Sequence, residues 1–152
     1  MDNQDKIFMQ KALKLARRAY ELNEVPIGCV IVHNGQIIGM GYNERNTTGN
    51  TLYHAEITAI DQACTFLQDW RLDDCTMYVT LEPCPMCAGA ILQARLPRLF
   101  FGAKNPKAGA VGSLINLLDD DRFNHKVDIV KGLMEEECAA LIKRFFASMR
   151  IT

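Results

Sequence analysis

Two short segments carry residue types at spacings suited to metal chemistry: His54-Ala55-Glu56, and Pro83-Cys84-Pro85-Met86-Cys87. One imidazole and two sulfurs supply three ligands to a tetrahedral zinc and leave a fourth position open for water, as a catalytic centre requires. A fourth side-chain ligand would close that position and make the site structural. The other histidines, His33 and His125, have no neighbour at ligand spacing. Glu56 follows His54 by two residues. It can reach a water at the open position without ligating the metal, and a carboxylate there moves protons.

These residues need elements to position them. Phe8, Ala12, Leu15, Ala19 and Leu22 recur at helical spacing, so residues 4 to 22 predict an amphipathic helix. IGCVIVH, Asn34-Gly35 and QIIGMGY read as strand, tight turn, strand, because both turn residues accept positive φ. Ile57, Ile60, Cys64 and Leu67 mark a second helix, beginning at the HAE segment. TMYVTL is a strand, and PMCAGAILQAR is a helix with Pro85 in its first turn, where the missing N–H costs nothing. RLFFG and VDIV are further strands, and Met134, Cys138, Leu141 and Phe145 stripe a last helix. The order α-β-β-α-β-α-β-loop-β-α predicts a three-layer α/β/α domain with a mixed sheet, spanning residues 1–152 as one unit. Both chemical segments fall where a loop or strand gives way to a helix. Unpaired backbone N–H groups there favour the thiolate forms that zinc needs.

Composition sets the surroundings. With 49% hydrophobic and 23% charged residues, the chain can bury a core. No apolar run is long enough for a membrane span, and the acidic start MDNQDKIFMQ is not a secretory signal. A cytoplasmic protein follows, in which the six cysteines stay reduced. Cys29, Cys64 and Cys138 lie on apolar faces and read as core thiols, and Trp70 as a packing residue. Net charge is -1, but residues 95–118 contain Arg95, Arg98, Lys104 and Lys107 without one acid. Residues 139–152 likewise hold only Lys143, Arg144 and Arg150. Each could be an ordinary surface cation; together they are compatible with a small nucleic-acid footprint.

Taken singly, CxxC also fits a redox pair or half of a structural zinc site, and HxE fits a packing residue. In this order they form the H-x-E and P-C-x-x-C signature of zinc nucleobase deaminases. Here the chain resembles the cytidine deaminase superfamily, and within it the bacterial tRNA-specific adenosine deaminases. NEVPIGCVIV, GYNERN, HAEITAI, WRLDDCTMYVTLEPCPMCAGAI, FGAKNPKAGAVGSL, FNHKV and CAALIKRFF follow in that family's order. The resemblance implies a cytidine-deaminase-like fold with a central five-stranded sheet. It implies one zinc per chain on His54, Cys84 and Cys87, with Glu56 as proton shuttle. The substrate would be adenosine at the wobble position of a tRNA anticodon stem-loop, and the chain would form a homodimer. Asn43 matches a nucleoside contact, and Glu24, Val25 and Pro26 match the pocket edge. Ala55, Lys104, Asn105, Lys107, Arg144 and Phe145 match further substrate contacts. Asn105 stands where members often carry Asp, which removes a charge that repels phosphate and adds a donor. Only one of the adjacent Phe145 and Phe146 should face the core. The catalytic residues alone do not choose the substrate, so a deaminase of a free nucleoside, nucleotide or base (cytidine, deoxycytidylate or guanine type) is the alternative.

Overall fold

The computed structural model describes the backbone of residues 2–151 and the side chains of residues 2–149. Helix α1 (Asn3–Glu21) begins where the side chains of Asp2 and Asp5 each accept from the other's backbone N–H. That reciprocal cap satisfies amides which the helix leaves unpaired. Strands β1 (Gly28–His33) and β2 (Gln36–Tyr42) form the predicted hairpin. Its turn residues Asn34 and Gly35 have φ of 52° and 76°, the left-handed conformation that this dipeptide tolerates.

A one-turn helix, α2 (Arg45–Thr48), comes next. Its sequence Arg-Asn-Thr-Thr carries no apolar period, so the pattern does not predict it. The buried Glu24 carboxylate organises it, accepting from the backbone N–H groups of Asn46 and Thr47 and from the Thr47 hydroxyl. Then follow α3 (Ala55–Leu67), β3 (Cys75–Leu81), α4 (Pro85–Gln93), β4 (Arg98–Ala103), β5 (Asp128–Lys131) and α5 (Glu135–Ile151).

The sheet has five strands in the order β2-β1-β3-β4-β5. Strand β1 is antiparallel to both neighbours, while β3, β4 and β5 run parallel. This is the mixed five-stranded sheet that the sequence predicts. Alternate strand residues point to opposite faces. Val30, Val32, Tyr78 and Phe100 pack with α1 and α5. Cys29, Ile31, Met77, Val79, Leu99 and Phe101 pack with α3 and α4. Three layers result.

Two glycines set the height of α3 above β2. A Cβ on Gly41 would lie 2.2 Å from the Ala55 carbonyl oxygen, and one on Gly39 2.2 Å from that of Ala59. No side chain fits there, so the start of α3 rests directly on the sheet.

Trp70 departs from the packing role. It is 57% exposed, with the Arg71 and Arg95 guanidinium groups 5.0 and 6.0 Å from its ring. Helix α3 is capped by Gln68 with a positive φ of 54°, and Trp70 follows on the exposed side of the loop while Leu72 returns to the core. Cys64, on the same terminal turn, is half-buried, whereas Cys29 and Cys138 are core thiols.

Candidate active site

His54 is the N-cap of α3, and Cys84 is the N-cap of α4. Neither side chain caps its own helix; both turn toward each other instead. Cys87 joins them from the first turn of α4, which Pro85 opens. Both cysteine Sγ atoms lie 3.6 Å from His54 Nδ1, and the three donor atoms all lie within 4.8 Å of one another. Tetrahedral bonds of about 2.3 Å to sulfur and about 2.0 Å to nitrogen place S and N roughly 3.5 Å apart. The donor types suit zinc, and so does their spacing. Among the described residues the group has three members.

The electrostatics single out Cys84 as the thiolate of the pair, while the hydrogen bond to Cys84 and burial push the Cys87 thiol up. Hydrogen bonding from Cys87, reinforced by His54, pulls the Cys84 thiol down to about 4, which favours the thiolate. The bond to Cys84 raises His54. Glu56, in the first turn of α3, is 4% exposed. Burial, helped by the negative charge of Cys84, lifts its carboxyl to about 7. A carboxyl poised there takes and returns a proton near neutral pH.

The site opens into a cleft of about 700 Å³. Val25, Asn43, Lys104, Asn105 and Lys107 line it together with His54. Asn43 is buried; its Nδ2 donates to the Val25 carbonyl and its Oδ1 accepts from the Arg45 amide. It therefore ties two stretches of the cleft wall together. Asn105 Oδ1 accepts from the Ala108 amide at 3.2 Å, a turn that an Asp would also make.

Five residues that the resemblance implies as substrate contacts do not line this cleft. Glu24 is fully buried and spends its carboxylate on α2. Pro26 is buried. Ala55 is fully buried, because α3 rests there on Gly41. Phe145 sits in the core, edge-on to Tyr20 with ring centroids 5.7 Å apart. Arg144 is exposed outside the cleft lining. The last two follow from helix geometry: each residue turns about 100°, so Ile142, Lys143, Phe146 and Ala147 share the cleft face of α5. Phe146 is 45% exposed and is the aromatic wall. The side chain of Arg150 lies outside the described residues.

Sequence reasoning misses Arg45, which lines the cleft from α2, since α2 has no pattern of its own. It also misses Glu82. That acid follows directly on the apolar end of β3, and its isolation in TLEPC is the available signal. Glu82 is 2% exposed and binds the loop that carries Lys104 and Lys107.

The comparisons agree among themselves. A family model described as MafB19-like deaminase matches residues 2–149. The chain is 49% identical over 147 residues to the tRNA-specific adenosine deaminase of Bacillus subtilis (strain 168), covering 97% of this chain and 91% of that one. Over 147 residues it is 43% identical to the same-named protein of Haemophilus influenzae, with 96% and 85% covered. A solved structure from a study of A-to-I editing by tRNA:A34 deaminases matches with a TM-score of 0.85 at 44% identity, covering 89% of this chain and 98% of that one. A guanine deaminase from Nitrosomonas europaea shares the fold at 21% identity, with a TM-score of 0.79 and 93% and 84% covered.

Proposed function

The chain belongs to the tRNA-specific adenosine deaminase family, and from that premise we propose that it hydrolyses adenosine to inosine at the wobble position of a tRNA anticodon loop. One observation carries the reading: a three-donor group with a buried Glu56 beside it, opening onto a cleft whose rim holds Lys104, Lys107 and Lys143.

His54, Cys84 and Cys87 would hold the zinc. Bound there, the metal would supply Lewis acidity that eases deprotonation of the attacking water. Glu56 takes a proton from the attacking water and delivers it to the ring nitrogen N1. A C–O bond forms at C6 and the C6–N6 bond breaks. Glu56 then takes the proton of the new C6 hydroxyl and gives it to the amine, so that the C6 carbonyl forms as ammonia leaves. Burial raises this carboxyl above the usual carboxylate range, which suits it to holding and releasing a proton. Val25 and Asn43 face the base that enters the cleft, and Phe146 offers a ring to a neighbouring base. The lysines meet phosphates, as does Arg45.

The alternative, a deaminase of free nucleosides or bases, draws on the guanine deaminase fold, which at 21% identity carries no substrate. Lysines around an open cleft favour a polynucleotide. Sequencing an unmodified tRNA before and after exposure, with free adenosine, cytidine and guanine as parallel substrates, separates the two. Inosine at a single loop position supports the proposal, and turnover of a free compound alone rejects it.

The same reading treats residues 1–152 as one catalytic domain acting as a homodimer in the cytoplasm. An apolar groove formed by the loop before α3, by α3 itself and by Ala90 of α4, including Leu52, Tyr53, Ile57 and Ile60, supports self-association, because a second copy would cover it. Sedimentation at micromolar concentration tests it. Among the described residues no helix is long and apolar enough to cross a membrane, and the cysteines are free.

A further inference from the structure

The carboxylate of Glu82 stands between the metal-ligand turn and the loop that carries the cleft lysines. Through the chain it is two residues from Cys84. Through space it accepts from the backbone N–H groups of Asn105, Val111 and Ser113, at 3.1, 3.0 and 3.0 Å, and from the Ser113 hydroxyl. Both oxygens are engaged. The backbone of Glu82 continues the same seam, donating to the Ala103 carbonyl, and the Pro83 carbonyl accepts from Ala110. Gly109 completes it: a Cβ at that position would lie 2.3 Å from a Glu82 oxygen, so the loop folds over the carboxylate with no side chain between.

Lys104, Asn105 and Lys107, which line the cleft, belong to this loop. Residues 104–127 form no helix, and their only strand-like pairing among the described residues is an isolated bridge between Val111 and Asn116. Regular structure therefore does not fix the loop's height above the metal ligands. A buried acceptor with four donors does. A buried carboxylate stays there only while its lone pairs are matched, since an unmatched one is costly.

We propose that Glu82 is a positioning residue for substrate: it registers the 104–113 loop against the His54–Cys84–Cys87 turn and so sets where the RNA backbone lies relative to the reacting base. The proposal rests on the deaminase reading for its substrate but not for its mechanics. It separates two functions within one segment. The cysteines that follow hold metal, while Glu82 holds the loop. Exchanging Glu82 for Gln keeps the size but points an amide N–H₂ at backbone donors, which breaks the seam on one side.

The test uses the full-length, zinc-loaded protein, its Glu82→Gln variant and Ser113→Ala, a milder change that removes one donor. Hydrogen–deuterium exchange follows residues 104–113. Steady-state kinetics use an anticodon stem-loop RNA with adenosine at the wobble position. The expected result for Glu82→Gln is faster exchange across 104–113, a KM raised about tenfold, kcat within about twofold and zinc content unchanged, in line with losing hydrogen bonds to a charged group. Ser113→Ala should show the same split at about threefold, and it decides the matter if Glu82→Gln fails to fold. Unchanged loop exchange would overturn the proposal, as would a loss of zinc or kcat with KM unmoved. If the wild-type protein leaves the hairpin untouched, the deaminase reading fails, while the exchange data still judge the role of Glu82 in holding the loop.

Discussion

His54 Nδ1 lies 3.6 Å from the Sγ of Cys84 although thirty residues separate them in the chain. The contact joins the N-caps of two neighbouring helices, each giving up its own cap interaction. Removing either side chain should therefore cost metal rather than fold. His54→Ala and Cys84→Ala are expected to purify with zinc reduced to a small fraction of one per chain, and with circular dichroism near that of the parent. Elemental analysis reads the first and far-ultraviolet spectra the second.

The two adjacent phenylalanines of α5 should separate cleanly. Phe145 is 5% exposed and packs on Tyr20, so Phe145→Ala should destabilise the protein by about 3–5 kcal/mol. Phe146 is 45% exposed on the cleft wall. Phe146→Ala should leave the denaturation midpoint nearly unchanged and weaken binding of an anticodon hairpin by about 1–3 kcal/mol, the range for losing a base–aromatic stack. Urea titrations and filter binding measure the pair.

Gly41 offers a steric test. Its missing Cβ makes room for the Ala55 carbonyl oxygen, one residue from His54. Gly41→Ala must lift the start of α3, and with it both His54 and Glu56. A stability loss of about 1–3 kcal/mol is expected, with a fall in kcat larger than that of a change at the far end of the same helix. Thermal melts and single-turnover rates report the two effects.

Acid sensitivity should appear at Asp5. Burial opposes its charge, but the Tyr78 hydroxyl donates to it at 2.6 Å and the Asp2 backbone donates as well. The folded pKa therefore lies below the ordinary 3.8. A carboxyl depressed on folding stabilises the protein above its unfolded pKa, and that stability fades as pH falls through the folded value. Between neutral pH and 5 the contribution of Asp5 should be constant, and below about 4 it should shrink. Asp5→Asn should lower stability at pH 7 and flatten this acid limb, as chemical denaturation at a series of pH values would show.

Much of this was legible in the residues, for identifiable reasons. Among the described residues, short apolar runs bounded by turns mark the five strands, the central ones buried on both faces, and one-sided helical periods mark four of the five helices. Helix α2 escaped because its stability comes from Glu24, a residue over twenty positions away. The zinc donors were legible because their types and helix-start positions are local facts. The cleft wall was less so. A motif match assigned Phe145 and Arg144 to substrate, whereas the rotation of α5 presents Lys143 and Phe146, and a one-residue shift on a helix moves a side chain by about 100°. Glu82 escapes the sequence pattern because three of its four donors are backbone amides in a distant loop, which no side-chain pattern announces.

The central claim is that Glu56 moves the protons of adenosine hydrolysis while His54, Cys84 and Cys87 hold the zinc. It is tested most directly by nucleoside chromatography of an anticodon stem-loop treated with zinc-loaded wild type or zinc-loaded Glu56→Ala. The account predicts inosine from the wild type and a rate lower by about 10²–10⁴ from the variant, at equal zinc content. Equal inosine from both proteins, or none from the wild type, would contradict it.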